Sequence, residues 1–424
     1  MIKAITGTRD LIYPETLKWK YLEDTVSRVF NNFNYKEIRT PVFEETSLFA
    51  RGIGEETDIV GKEMYTFLDR SKTSVTLKPE MTAAVVRAFI EHSLGKQQSL
   101  SKFFYISPMF RQERPQAGRL RQFHQFGAEA IGSASPMLDV EMIQMVYDIL
   151  SSLGLSDLKV KINSLGIPES RESYKKKLRE YLKDKKSKLS EDSRNRFDRN
   201  IMRIFDSKVE SDQEILKEAP LLLEHLDKES VEEFDMVKKL LHSANISFEV
   251  EPRLVRGLDY YTRTTFEIDS EYVGAQSALC GGGRYDLLIE QLGGSPTPGV
   301  GFAAGMERIL LACEKQNTLK IPGDKLDLYI VKFNDELSPE VFEIGVNLRR
   351  ANLSVDFDYL NRSVKAQMRE ANKMNTRYVL FVGGEEYEKK QANLKNMNTG
   401  EQQLINVQDM ETLVKLMKKT EGEG

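Results

Sequence analysis

Two long segments, KFFYISPMFRQ at 102–112 and RQFHQFGAEAIG at 121–132, stand on either side of the run PQAGR. Pro115 and Gly118 suit a connecting turn, so two strands joined by a loop are expected here. Four arginines, Arg111, Arg114, Arg119 and Arg121, fall within this stretch, interleaved with Phe110, Phe123 and Phe126. A second polar-aromatic cluster, LVRGLDYYTRTTF, occupies 254–266. Arginine offers a fixed fork of donors to phosphate oxygens, and aromatic rings offer faces on which a base stacks. Together the clusters point to a site that handles a triphosphate and a small polar ligand.

The chain has 424 residues, which suggests two or three domains rather than one core. Its formal net charge of −4 leaves nucleic-acid binding to local patches. No apolar run reaches the length of a signal peptide core or a membrane span, and a cytoplasmic setting is expected. Two cysteines, Cys280 and Cys313, have no partner spacing for a structural zinc site or a disulfide framework.

Helical spacing runs through 15–33, with Leu22, Val26, Val29, Phe30 and Phe33 on one face. Pro41 breaks an alternating segment and marks a strand edge or bend. Further strands are expected at 73–77, 157–164, 246–254 and 264–270, and helices at 80–93, 136–153 and 302–316. Between Lys175 and Lys188 lie eight basic and two acidic residues on a helical pattern that continues to about His242. The block 168–246 therefore reads as a helical insertion, its basic run most simply a solvated face. A linker, LKIPGDK, spans 319–325. Beyond it strand and helix alternate, with Ser338–Pro339 as a helix start, which suggests a small α/β domain with a partly parallel sheet.

Arg111 and Glu113 are two positions apart and share a strand face, as do Gln125 and Glu129. Polar groups this dense are hard to explain by packing alone, although a surface ion pair or a solvated sheet face is the simpler reading of each taken singly. Glu80 joins the second pair as a candidate. CGGGRYD at 280–286 lacks the P-loop and dinucleotide-binding patterns, and a tight turn or close backbone packing would explain it. Glycines at 298–305 precede Arg308 and permit close approach of an anion to a helix start. His124, between Phe123 and Gln125, reads as a packing residue.

At these residues the chain resembles the class II aminoacyl-tRNA synthetases, and within them the histidyl-tRNA synthetase family. RTPVFE, FRQERPQAGRLRQFHQFGAE and PGVGFAAGMERI resemble the three class II motifs; LVRGLDYYTRTTFE and ALCGGGRYDLL resemble two segments peculiar to the histidine enzymes. The likeness covers nearly the whole chain. It implies an α+β catalytic domain at 1–325, an antiparallel sheet flanked by helices, with the insertion at 168–246 and an α/β anticodon-binding domain at 326–424. It implies Arg111 and Arg256 as catalytic residues flanking the α-phosphate. Glu113 faces the adenine edge, Phe123 and Arg308 sandwich the base, and Arg119 meets the distal phosphates. Glu80, Thr82 and Gln125 hold the amino group of histidine, with Met81 also a histidine-binding position. Glu129, Tyr261, Tyr260 and Tyr285 surround the imidazole. Arg114 and Arg121 fall to tRNA, and Arg349, Arg350, Arg362, Lys365 and Arg369 are candidates on the tail.

The implied reaction is attack of the histidine carboxylate on the α-phosphorus of ATP, then transfer of histidine to the 3′ end of tRNA(His). ATP with Mg²⁺ carried on its phosphates, a homodimer and no protein-only metal site are expected. A regulatory relative without catalysis, a synthetase for another amino acid and a generic RNA-binding module are the alternatives. Arg256 and the tail after 325 count against the first, Glu129 with LDYY against the second, and the set Glu80, Gln125, Glu129 against the third.

Overall fold

The computed structural model describes residues 2–54, 57–116, 118–274, 277–321, 323 and 325–419. Ala117 in the turn 115–119, Pro322 and Asp324 in the linker, and 420–424 of the tail lie outside them. Alternation in the central segments sets the architecture. Along Gln122–Ile131, Phe126, Ala128 and Ala130 enter one core while Gln125, Gly127 and Glu129 face the other way.

That strand belongs to an eight-stranded sheet ordered Lys36–Glu37, Ser101–Phe110, Gln122–Ile131, Gly299–Gly305, Ala278–Arg284, Thr262–Asp269, Lys159–Ser164 and Phe248–Val250. The six inner strands pair antiparallel, and each edge strand pairs parallel to its neighbour. Helices Glu15–Asn32, Pro136–Ser152, Lys228–Ser243 and Met306–Gln316 cover one face, sharing a core with Trp19, Leu22, Phe30, Ile143, Phe266 and Phe302. Helix Thr82–Glu91 and the helical block beginning at Pro168–Lys183 cover the other face around Tyr105, Tyr260, Tyr261 and Tyr285. The last helix of the 168–246 block, Lys228–Ser243, buries Phe234, Val237 and Leu241 in the sheet-side core rather than with its inserted neighbours.

Two local expectations need correction. Residues 302–305 are strand, not helix: Gly299–Gly305 ends the strand, and the helix begins at Met306. Val300, Phe302 and Ala304 alternate into the core, so the glycines of the other face are part of a period-two pattern. Ser338 is the first helical residue of Ser338–Arg350 rather than its cap; its hydroxyl donates to Asp335 at 3.0 Å, and Leu337 holds the cap position.

Pro41 lies between Lys36–Glu37 on the large sheet and Phe43–Glu45 on a separate three-stranded sheet with Ser74–Leu77 and Tyr65–Leu68. The chain divides into two compact units at Lys320/Ile321. The second carries a five-stranded sheet ordered Val355–Phe357, Leu328–Lys332, Tyr378–Val382, Gln391–Asn396 and Gln402–Asn406. Its first three strands are parallel and the last two form an antiparallel addition.

Candidate active site

Two of the inner strands, Gly299–Gly305 and Ala278–Arg284, leave a hollow because glycine dominates the face they turn to it. Gly301 lies opposite Glu129 in register, Gly305 opposite Gln125, and Gly281 opposite Glu267. A Cβ on Gly301 would stand 1.8 Å from Glu129 Oε2, and one on Gly281 would stand 2.0 Å from Arg256 Nη2. Long polar side chains therefore lie flat on a floor without side chains of its own. CGGGRYD is consequently mid-sheet strand and not a turn: Ala278–Arg284 runs through it.

Above this floor is a cavity of about 290 Å³ lined by Glu80, Thr82, Arg111, Glu113, Arg119, Phe123, Gln125, Arg256, Tyr260, Tyr261 and Arg308, among others. Its two ends differ in their side chains. At one end Glu80 accepts the backbone N–H groups of Thr82 and Ala83 at 2.7 and 2.8 Å, so it also caps helix Thr82–Glu91. Glu129, fully buried just beneath, accepts from Thr82 Oγ1 at 2.8 Å and from Tyr285 OH at 2.6 Å. Burial pushes the Glu129 carboxyl up to about 8 against those two hydrogen bonds. Burial likewise raises Glu80. Two buried acidic side chains beside the rings of Tyr260 and Tyr261, 4.7 Å apart, make an end that suits a compact ligand with several N–H donors.

The other end gathers arginines. Arg111 Nε donates to the Pro79 carbonyl at 2.9 Å, and its guanidinium carbon lies 5.3 Å from the centroid of Phe123. Glu113 lies 3.0 Å from Arg119 Nη1 and 3.6 Å from Arg111 Nη1. Arg308 Nη1 donates to the Ala278 carbonyl at 2.8 Å, with burial and then Arg119 holding it below its ordinary value. Arg256 sits between the ends, paired with Glu267. Arg256 Nε and Gln125 Oε1 are buried with no hydrogen-bond partner. Both residues line the cavity, so a ligand with phosphate oxygens and an ammonium group would complete them.

Met81, Glu129, Tyr285, Arg114 and Arg121 do not line the cavity. Met81 is buried with its sulfur 3.6 Å from Lys78 Nζ. Arg114 is exposed. Arg121 turns to the N-terminal segment: its N–H donates to Gly7 at 2.7 Å, and a Cβ on Gly7 would meet its Cγ at 2.7 Å.

Several contributing residues escaped the sequence reading. Glu267 carries a signal, since it alternates inward along Thr262–Asp269 as Glu129 does on its own strand. Cys280 also lines the cavity, but burial pushes its thiol far up, so it is wall and not nucleophile. Arg171, from the helical block, donates to the Tyr261 carbonyl at 2.7 Å, and Asn200 donates to Asp259 at 2.8 Å. These long-range contacts leave no local pattern. Among the described residues no group of three or more His, Cys, Asp or Glu could hold a metal ion. No helix among them is long and apolar enough to cross a membrane.

Two family models match the chain. Residues 7–309 match the family model described as histidyl-tRNA synthetase, and 327–417 match the anticodon binding domain. The histidine–tRNA ligase of Halothermothrix orenii is 47% identical over 97% of this chain and all of its own length. That of Caldanaerobacter subterraneus subsp. tengcongensis is 47% identical over 98% of this chain and all of its own. The crystal structure of apo histidyl-tRNA synthetase from S. aureus superposes with a TM-score of 0.82 at 39% identity, covering 99% of this chain and 100% of that one. A Bacillus halodurans structure titled ATP phosphoribosyltransferase regulatory subunit/histidyl-tRNA synthetase shares the fold at 22% identity and a TM-score of 0.65. With a family model spanning most of its length and relatives matched end to end, the chain belongs to the histidyl-tRNA synthetase family.

Proposed function

We infer that the chain is a histidine–tRNA ligase that activates histidine with ATP and charges tRNA(His), and we propose that the cavity divides the first half of that work between its two ends. The observation that carries the division is the difference in side chains between the ends: Glu80 with Glu129 buried near it at one, arginines at the other, and Arg256 between them. Glu80, Thr82 and Gln125 take the amino group of histidine, and Glu129 with Tyr261 and Tyr285 reads the imidazole. Phe123 and Arg308 hold the adenine, Glu113 its edge, and Arg119 the distal phosphates. Arg111 and Arg256 stabilise charge that builds on the α-phosphate oxygens as the carboxylate attacks. The carboxylate is already a nucleophile, so no protein base is required.

Mg²⁺ fits this site as a companion of the triphosphate. Glu113 and Glu267 are already paired with arginines, so the phosphate oxygens supply its ligands. Bound with ATP, it would supply charge neutralisation to the phosphates. We place the chain in the cytoplasm, where its substrates are. Arg114 and Arg121 remain candidates for tRNA contact outside the cavity.

Residues 1–325 form the catalytic domain in this reading, with the insertion at 168–246, and 326–424 the anticodon-binding domain. On the tail Arg350, Lys365 and Arg369 are exposed, whereas Arg349 donates to the Val355 carbonyl and Arg362 pairs with Asp358 and Glu370. The first three therefore suit RNA phosphates best. Pyrophosphate exchange with ATP should require histidine and no other amino acid. Truncation after Lys325 should keep histidine-dependent exchange and lose most charging at limiting tRNA; equal loss of both in a folded truncation would remove the anticodon assignment.

A homodimer is proposed through the Pro41 region. Phe43, Phe67 and Leu68 are exposed on the small sheet that follows Pro41, each at least half accessible. Sedimentation should give a dimer at micromolar concentration, and Phe43→Glu should shift it toward monomer. A stable monomer in the unaltered chain would reject this.

A further inference from the structure

Strand Gly299–Gly305 pairs with Gln122–Ile131 from Gly299↔Ile131 to Gly305↔Gln125 and then turns into helix Met306–Gln316. The partner strand runs on to Gln122, paired from there only with Ser101–Phe110, through Pro108↔His124 and Phe110↔Gln122. At His124 one side of the ladder has therefore run out. The carboxylate of Glu307 fills that place. The backbone N–H of His124 donates to its two oxygens at 2.9 and 3.1 Å, and His124 Nδ1 lies 3.0 Å from Oε1. The Glu307 side chain is 8% exposed. On its far side the His124 ring meets Trp19 edge-on, with centroids 4.9 Å apart.

We propose that Glu307 is a positioning residue for the nucleotide end of the cavity. Its side chain ends the sheet in place of a strand and ties the residue between Phe123 and Gln125 to the helix that carries Arg308. The clamp sets the gap between Phe123 and Arg308. What matters is its length and its acceptor oxygen rather than its charge, because the principal donor is a neutral backbone amide. Glutamine keeps the length and can place its oxygen where Oε1 stands, within reach of both the backbone N–H and Nδ1 of His124. Aspartate keeps the charge but is one methylene short. The inference rests on the reading of Phe123 and Arg308 as the two sides of the adenine.

The test uses the full-length protein and the variants Glu307→Ala, Glu307→Asp and Glu307→Gln, with KM for ATP and for histidine measured by pyrophosphate exchange. Trp19 is the only tryptophan in the chain, so its emission reports on the ring that Glu307 holds. Ala and Asp should raise KM for ATP about tenfold or more, the loss of one buried hydrogen bond, and shift Trp19 emission. KM for histidine should move much less, and Gln should match the unaltered chain in all three readings. If Ala does not fold, the contrast between Asp and Gln decides alone. A Gln variant as impaired as Ala beside a normal Asp variant would overturn the proposal, because charge would then be what is used. Parallel rises in both KM values with a lower melting temperature would overturn it as well, and so would unchanged values throughout. Phe123→Ala and Arg308→Ala separate the two levels. If neither weakens ATP, the nucleotide assignment itself fails; if both do while Asp at 307 is normal, only the role of Glu307 fails.

Discussion

Arg256→Ala is expected to slow histidine-dependent pyrophosphate exchange by about three orders of magnitude or more, with a much smaller rise in KM for ATP. Removing one preorganised neutral donor from a developing oxyanion costs about 10²–10³ in rate, and here a full cation is lost. The guanidinium is positioned before substrate arrives: it lies across Gly281, is paired with Glu267, and keeps Nε free of protein partners. The defect should appear in kcat rather than in folding. Burial already holds the Glu267 carboxyl above its ordinary range, with Arg256 pulling it down. Without Arg256 it can take up a proton instead of remaining a buried, unpaired charge. Single-turnover adenylation and a melting curve on the same preparation check both statements. Near-normal adenylation would remove Arg256 from the catalytic set.

The same glycine floor explains what the sequence made legible and what it hid. Gln125 and Glu129 stand out because polar residues recur at period two in an otherwise apolar strand; Arg111 and Glu113 keep that spacing but, contrary to the expectation of a shared strand face, lie past the end of Ser101–Phe110. The strands that complete the floor were harder to read. Gly299–Gly305 and Ala278–Arg284 expose glycine on one face, so they lack the apolar–polar alternation that marks a half-buried strand. Sequence alone suggests part of a helix for the first and a tight turn or close backbone packing for the second. Glu307 looked like an ordinary acidic residue in the first turn of a helix, where its charge suits the helix dipole. Its partner amide lies 183 positions away. Arg171 and Asn200 belong to a block whose composition suggests a solvated surface, yet they brace the loop that carries Asp259 and Tyr261. Periodicity reports which face of an element is buried; it does not report which distant loop that face supports.

Glu129→Ala should raise KM for histidine by about ten- to a hundredfold, the value of one or two hydrogen bonds to a charged group, while KM for ATP changes little. Gly301→Ala should give a defect of the same kind, because its Cβ would stand 1.8 Å from Glu129 Oε2 and 2.6 Å from the Ala128 carbonyl. That second variant leaves the carboxylate in the protein and only displaces it, so a shared phenotype ties the effect to where the group sits. Stability offers an independent check through pH. The Glu129 carboxyl rises from 4.5 to about 8 on folding, so between those values the folded chain holds a proton that the unfolded chain releases. The contribution is therefore fully present below pH 4.5 and is lost as pH rises toward 8. Glu129→Gln, which stays neutral, should escape that loss, so its melting temperature relative to the unaltered chain should climb across this window. The free-energy gap should grow by at most about 1.4 kcal/mol per pH unit. A difference that is flat with pH would mean that Glu129 is ionised in the free enzyme, held as a carboxylate by Thr82 and Tyr285. Equal effects of Glu129→Ala on both substrates would make it a support of the fold rather than the reader of the imidazole.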